Sequence, residues 1–478
     1  MSFTSHIFIF YFLPIILLCC YLIPQSRNLL WKVFLLVASY AFYAWLNPLF
    51  VGLLFCTTLF NYVLSKFLAD SSGRGRRLSL TIVCMAENLC LLGFFKYAVF
   101  FQRNVNGILR LLHADTFPLV KLMLPVGISF FTFKILSYII DVYRGHPPAR
   151  RFLDFACYVS FFPQLLAGPI QRFGTIDAKS QTMPNFDEQL QTRRRRLPGF
   201  SYGVALFALG FAKKILLADV AGQAADAAFA AEAPGTLDAW FGVLAYSFQL
   251  YFDFSAYSEM AIGLGSMLGF DCPRNFNAPY LADSVTDFWR RWHISLSSWF
   301  RDYLYIPLGG NRKDAARSYL NLIVVFLLCG LWHGANWTFI MWGACHGIFL
   351  VLERMLGRRT VYALLPKPMR ICITFLLITV GWVFFRAATM ADAWRLLTVM
   401  FTVSPAQGGS ILLSAVLYTR AHLVAVILCA ILAFQPAQAV DWAKTISWPK
   451  VIILIALFCL SLTTMFTQAY QSFLYFRF

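Results

Sequence analysis

Long apolar runs, separated by short polar joints, repeat from one end of the chain to the other. A bilayer-spanning helix needs about 20 mostly apolar residues. Runs of that kind lie near 7–23, 29–45, 49–68, 78–101, 122–143, 199–220, 237–265, 318–333, 335–353, 371–386, 411–435 and 449–468. The run 152–168 is shorter and closes on Gly168-Pro169, which predicts a re-entrant segment. Residues 270–312 are too polar to span and are predicted to dip into the protein. Irregular backbone at membrane depth is tolerated only when it is buried in protein or lines a cavity. The pattern predicts an all-α polytopic membrane protein, one integral membrane body over residues 1–478. The first run begins at Ile7 with no basic n-region and no Ala-x-Ala site, so it reads as a retained helix and not a removed signal peptide.

Composition agrees with a membrane body. Of the 478 residues, 59% are hydrophobic and 13% charged, against roughly 25% charged in soluble domains. The net charge of +18 invites a nucleic-acid reading, but an excess of Lys and Arg in cytoplasmic loops explains it in a membrane protein. Arg74, Arg76 and Arg77 follow the third run, and Arg144, Arg150, Arg151 and Arg193 to Arg196 flank the re-entrant one. Arg354, Arg358, Arg359, Lys367 and Arg370 follow the ninth, whereas 46–48 and 221–236 hold no Lys or Arg. This asymmetry puts the basic loops in the cytoplasm and both termini outside, with 102–121 outside in spite of Arg103, Arg110 and Lys121. The run Arg193 to Arg196 reads either as a topogenic cluster or as an attractor for an anionic acyl donor. The twelve cysteines form no Cys-x-x-Cys pair and mostly sit in apolar runs, so packing is their expected role.

Against this background a few ionisable residues stand out. His333 lies in Gly330-Leu331-Trp332-His333-Gly334-Ala335-Asn336-Trp337, between two apolar runs. An ionisable group at such depth is costly and marks either a functional cavity or a satisfied packing contact. A neutral imidazole suits deprotonation of an attacking hydroxyl. Asn336, in the same motif, is a further polar candidate for that cavity. Upstream, Asp287-Phe288-Trp289-Arg290-Arg291-Trp292-His293 reads either as an interfacial Trp/Arg anchor or as the inner mouth of a site. In the second case His293 helps orient the reaction, and Arg290, Arg291, Arg301 and Arg312 contact donor phosphates. Asp287 and Asp302 are expected to fix those arginines by ion pairs. Asp253 and Glu259 either line the same cavity or pair with an arginine of 270–312. His346 lies roughly 20 Å beyond His333 if one helix carries both, too far to share a centre. No metal-ligand spacing and no Ser-His-Asp order is readable, so no metal is expected.

Asp287–Arg312, Leu331–Trp337 and Trp342-Gly343-Ala344-Cys345-His346-Gly347 strongly resemble the membrane-bound O-acyltransferases, in particular their bacterial alginate O-acetyltransferase-like branch. The resemblance runs over almost the whole chain, including Lys134–Gly145 and Gln249–Phe270, with its motif core at 245–350. It implies a bundle of about 11–12 transmembrane helices with re-entrant segments around a central funnel. It places the catalytic histidine at His333 and the second signature position at His293. Cys345 departs from the bulkier residue expected before His346-Gly347.

The resemblance also implies a reaction. An acyl group, with acetyl-CoA the expected donor, is taken from a cytoplasmic thioester and exported across the bacterial inner membrane. A periplasmic acetyltransferase of the SGNH-hydrolase type, with other polysaccharide-modification proteins, then places it on an exported polymer. Membrane lipids are the other expected partner, and nucleic acid is not. The chain closes on Phe473-Leu474-Tyr475-Phe476-Arg477-Phe478, similar to an aromatic motif of that branch. Tyr475 is thereby implied as an acyl shuttle, since a phenyl ester stays transferable; an aromatic interfacial belt is the other reading. Peptidoglycan O-acetylation and D-alanyl export to teichoic acid share the core motifs. A lipid-linked sugar transporter would predict inverted repeats, which are not evident.

Overall fold

The computed structural model describes residues 1–478 except 175–184, 193–196, 313, 358–363, 403–409 and 469–478. Arg193 to Arg196 and Tyr475 therefore lie outside the described residues. The described chain is helical, with no strand among the described residues. Each of the twelve apolar runs contains a helix. By length and composition, six of the described helices can cross a membrane: Leu49–Asp70, Arg74–Leu111, Ala315–His333, Trp337–Leu356, Lys367–Arg386 and Trp448–Thr467. Phe8–Leu22, Asn28–Ala44 and Arg420–Ala433 are shorter apolar helices.

Several boundaries moved for local reasons. The helix expected from 122 starts at Ile128, with Gly127 at its N-cap in a left-handed backbone conformation (φ 79°). The run 411–435 is broken: one helix stops at Leu417, and Thr419 caps the next by accepting from the His422 amide. Arg74–Leu111 continues ten residues past its predicted end, so Arg103 and Arg110 are helical. The predicted re-entrant run folds as two short helices, Phe152–Ser160 and Phe162–Leu165, with Pro163 opening the second.

The chain divides into two compact units. The first, Met1–Val204 with Ala261–Pro273, is built on an aromatic core in which Trp31 stacks on Phe270 at 5.8 Å and Phe186 on Phe270 at 5.0 Å. Its buried charge is matched internally: Lys32 meets Asp154 at 2.6 Å and the Gln191 side chain at 2.8 Å.

The second unit, Ala205–Met260 with Arg274–Phe478, holds the residues singled out above. Helix Thr236–Met267 carries Asp253 and Glu259 into its interior. Across from them the chain widens into a π-helical turn, Lys213–Ala218. Lys213 reaches Glu259 at 2.8 Å, while Lys214 sits between Asp219 at 2.6 Å and Asp253 at 2.8 Å. The expected arginine partner for Asp253 is thus corrected: its cation is Lys214, which precedes it in the chain. Removing one member of a buried ion cluster strands the others in low dielectric. Lys214→Met should therefore cost about 3–5 kcal/mol, read as a lower melting midpoint in detergent. Adding Asp219→Leu and Asp253→Leu should restore most of the loss.

Candidate functional site

The site is organised by a helical hairpin, Ala315–His333 and Trp337–Leu356, turned by Gly334-Ala335-Asn336. The turn holds because Asn336 caps the second helix, its Oδ1 accepting from the Thr338 amide at 3.3 Å. Asn336 Nδ2 donates to the Ala388 carbonyl at 2.8 Å. Asn336 thus shapes the turn. The two helices touch backbone to backbone, since a side chain at Gly330 would run into the Phe339 carbonyl and one at Gly343 into the Phe326 carbonyl. Small residues permit such close approach between apolar helices.

Between this hairpin and the short helices Val285–Arg291 and Ile294–Phe300 lies a cavity of about 650 Å³, a size typical of small-molecule sites. Leu322, Val325, Phe326 and Cys329 line it from the first hairpin helix. They recur at three- and four-residue steps, the periodicity of one helix face. The next position on that face, four after Cys329, is His333. On the second helix Leu350, Glu353 and Arg354 line the cavity, and the position four before Leu350 is His346. Each lining face is thus followed along its helix by an imidazole, but none of His293, His333 and His346 lines the cavity itself.

Cations gather at the other part of the lining, where Arg290, Arg301 and Arg354 all face the cavity. Arg354 is held by the Tyr305 hydroxyl at 2.9 Å and Asn311 Oδ1 at 2.7 Å. Glu353 anchors the N-terminus of Val285–Arg291, accepting from the Val285 and Thr286 amides at 2.6 and 2.8 Å. That contact fixes where Trp289 and Arg290 stand. Arg291 is tied to Asp287 at 2.7 Å, and Arg301 to Asp302 at 2.7 Å, as the sequence suggested. Neither Arg291 nor Arg312 lines the cavity, and neither does Asp253. Arg354, read from sequence only as a topogenic charge, takes their place.

Three histidines meet in one aromatic array. His333 packs edge-on against Trp342 at 5.1 Å, Phe385 at 5.0 Å and Trp332 at 4.9 Å. Trp332 lies 6.2 Å from the His293 ring, and Trp342 lies 4.8 Å from His346. A single indole thus separates His333 from each of the other two. The sequence-based separation of His333 and His346 fails because the helix is not continuous: the turn at 334–336 folds the second back on the first. His346 Nδ1 accepts from the Trp289 indole N–H at 3.3 Å. An indole nitrogen can only donate, so the His346 proton resides on Nε2. His293 is fully buried, and burial lowers its pKa to about 3, which keeps the ring neutral. It occupies a left-handed backbone position (φ 42°) between the two short helices, a conformation that persists only where surrounding contacts hold it.

Comparison with known proteins places this geometry in context. The sequence model of the membrane-bound O-acyltransferase family matches residues 16–391. A probable alginate O-acetylase of Azotobacter vinelandii is 48% identical over 84% of this chain and 78% of its own length. Its counterpart in Pseudomonas putida is 42% identical over 100% of both chains. A peptidoglycan O-acetyltransferase of Helicobacter pylori is 39% identical over 83% of this chain and 79% of its own.

The cation arrangement makes a differential prediction. Charge reversal at Arg290, Arg301 or Arg354 should raise the KM for an anionic acyl donor several-fold, and the effect should shrink as salt screens the mouth. Arg312→Glu, away from the cavity, should leave that KM near the wild-type value.

Proposed function

This chain belongs to the membrane-bound O-acyltransferase family as a multi-pass membrane acyltransferase, and we propose that it exports acetyl groups for O-acetylation of a secreted polysaccharide. The donor in this reading is acetyl-CoA at the cytoplasmic face of the inner membrane, with both termini periplasmic. The polymer is alginate or a cellulose-like chain, in keeping with the alginate O-acetylases at 42% and 48% identity. The observation that carries the reading is a cation-lined cavity whose apolar helix face, Leu322, Val325, Phe326 and Cys329, continues at the next helical step to His333, which lies beyond the lining itself.

The chemistry follows from those parts. Donor phosphates engage Arg290, Arg301 and Arg354 through charge-assisted hydrogen bonds. The thioester arm lies along the apolar face formed by Leu322, Phe326 and Cys329. The acceptor hydroxyl gives its proton to the His333 imidazole as its oxygen attacks the thioester carbonyl. The carbon–sulfur bond then breaks, and the departing thiolate takes the proton back, so His333 ends neutral. Indoles around His333 exclude water that would otherwise hydrolyse the thioester.

Tyr475 is the proposed station on the outer side. Its phenol accepts the acetyl group as a phenyl ester and yields it to an SGNH-hydrolase-type periplasmic acetyltransferase that modifies the polymer. Peptidoglycan is the second acceptor worth testing, because the Helicobacter pylori peptidoglycan O-acetyltransferase is 39% identical to this chain.

His333→Ala should lower polymer acetylation by about a hundredfold or more at wild-type membrane abundance; retained acetylation at that abundance overturns the mechanism. Tyr475→Phe should abolish onward transfer and remove an acetyl adduct from the C-terminal peptide in mass spectra. Undiminished transfer by that variant excludes the shuttle.

A further inference from the structure

Asn275, in the loop before the short helices, is buried and saturated with contacts. Its Oδ1 lies 3.2 Å from the Ser295 amide, 2.9 Å from Ser295 Oγ and 3.1 Å from His293 Nδ1. Its Nδ2 donates to Ser258 Oγ at 3.1 Å, and its backbone carbonyl accepts from the Ile294 amide at 2.9 Å. One side chain and its own carbonyl therefore brace both flanks of His293.

This arrangement fixes a proton. A backbone amide can only donate, so the Asn275 atom facing Ser295 must be the carbonyl oxygen. That oxygen offers only lone pairs, so His293 Nδ1 must carry the hydrogen. In a neutral ring Nε2 is then a bare acceptor. His293 Nε2 is buried and has no hydrogen-bond partner among the described residues. The ring is clamped edge-on by Phe254 at 4.6 Å, with Trp332 on another side. A buried acceptor held in one orientation and left open calls for a donor from a ligand.

We propose that Asn275 is a positioning residue that holds His293 as its Nδ1–H tautomer, so that Nε2 accepts a hydrogen bond from a hydroxyl of the acyl acceptor. A neutral acceptor of this kind takes a hydrogen-bond donor such as a hydroxyl, which the reacting thioester carbonyl and an ionised phosphate cannot supply. The inference rests on the reading of His293 as part of the acyl-transfer site. The charges around it are committed elsewhere. On helix Thr236–Met267, Asp253 pairs with Lys214 and Glu259 with Lys213. Arg274 pairs with Asp441, and Arg291 with Asp287. His333 follows Trp332 on the hairpin. No carboxylate hydrogen-bonds the His293 ring among the described residues, in keeping with a neutral imidazole.

Asn275→Asp supplies the test. A carboxylate at that point stabilises the imidazolium, raising the His293 pKa and deleting the Nε2 lone pair as pH falls. Turnover should acquire an acid limb at least about one pH unit above that of the wild type, with the donor KM unchanged. In a His293→Asn background the shift should vanish. Asn275→Ser, a smaller perturbation, should lower kcat without moving the donor KM, and it serves if Asn275→Asp fails to reach the membrane. A wild-type pH profile for folded Asn275→Asp, or an unchanged kcat for Asn275→Ser, overturns the proposal provided His293→Asn is itself impaired. Full turnover by His293→Asn instead removes the underlying reading of His293.

Discussion

The site depends on a close approach between two helix backbones. Gly330 and Gly343 let the helices Ala315–His333 and Trp337–Leu356 approach until each glycine faces a carbonyl of the other helix. That approach sets the spacing of everything projecting from the hairpin. It holds Trp342 against both His333 and His346 and brings the two cavity-lining faces together. It also sets the reach of Glu353, which fixes the first turn of Val285–Arg291 and hence the stance of Trp289 and Arg290. A single added methylene on either glycine would propagate through all of these, because packed interiors deform in discrete steps.

Around the hairpin, polarity is handled by two different rules. Full charges are neutralised in place: Lys214 between two aspartates, Lys213 on Glu259, Lys32 on Asp154. The imidazoles are handled by tautomer. His346 accepts a hydrogen bond from the Trp289 indole at Nδ1, whereas His293 donates one to Asn275 Oδ1 from the same atom. Two chemically identical rings, both fully buried, are thereby given opposite polarity at Nε2. Such locking by a neighbouring group turns a pH-sensitive side chain into a fixed donor or acceptor.

The length of the apolar runs was enough to find the long helices among the described residues, because spanning segments are read from composition alone. The motif around His333 was equally legible, since an ionisable residue between apolar runs is rare. Other features depended on tertiary geometry. His346 was set aside because a helical rise was applied across Gly334-Ala335-Asn336, where Asn336 in fact starts a new helix. Asp253 was read either as cavity lining or as the partner of an arginine in 270–312, whereas its cation Lys214 sits almost forty residues upstream on a π-helical turn that hydropathy does not reveal. Arg354 looked like one more cytoplasmic charge until the hairpin turned it onto the cavity. Asn275 carried no signal: an asparagine in a loop is ordinary until its oxygen is seen to face a backbone amide.

The proposed path runs from a cation-lined mouth, along one face of a helix, to an imidazole on the far side of the apolar walls. Sided transfer tests it most directly. Inverted membrane vesicles, cytoplasmic face outward, can be loaded with an acceptor oligosaccharide and the periplasmic acetyltransferase, and given acetyl-labelled coenzyme A only from outside. The account predicts that label becomes ester-linked to the enclosed acceptor. Transfer that occurs only when donor and acceptor share one side of the membrane would contradict it.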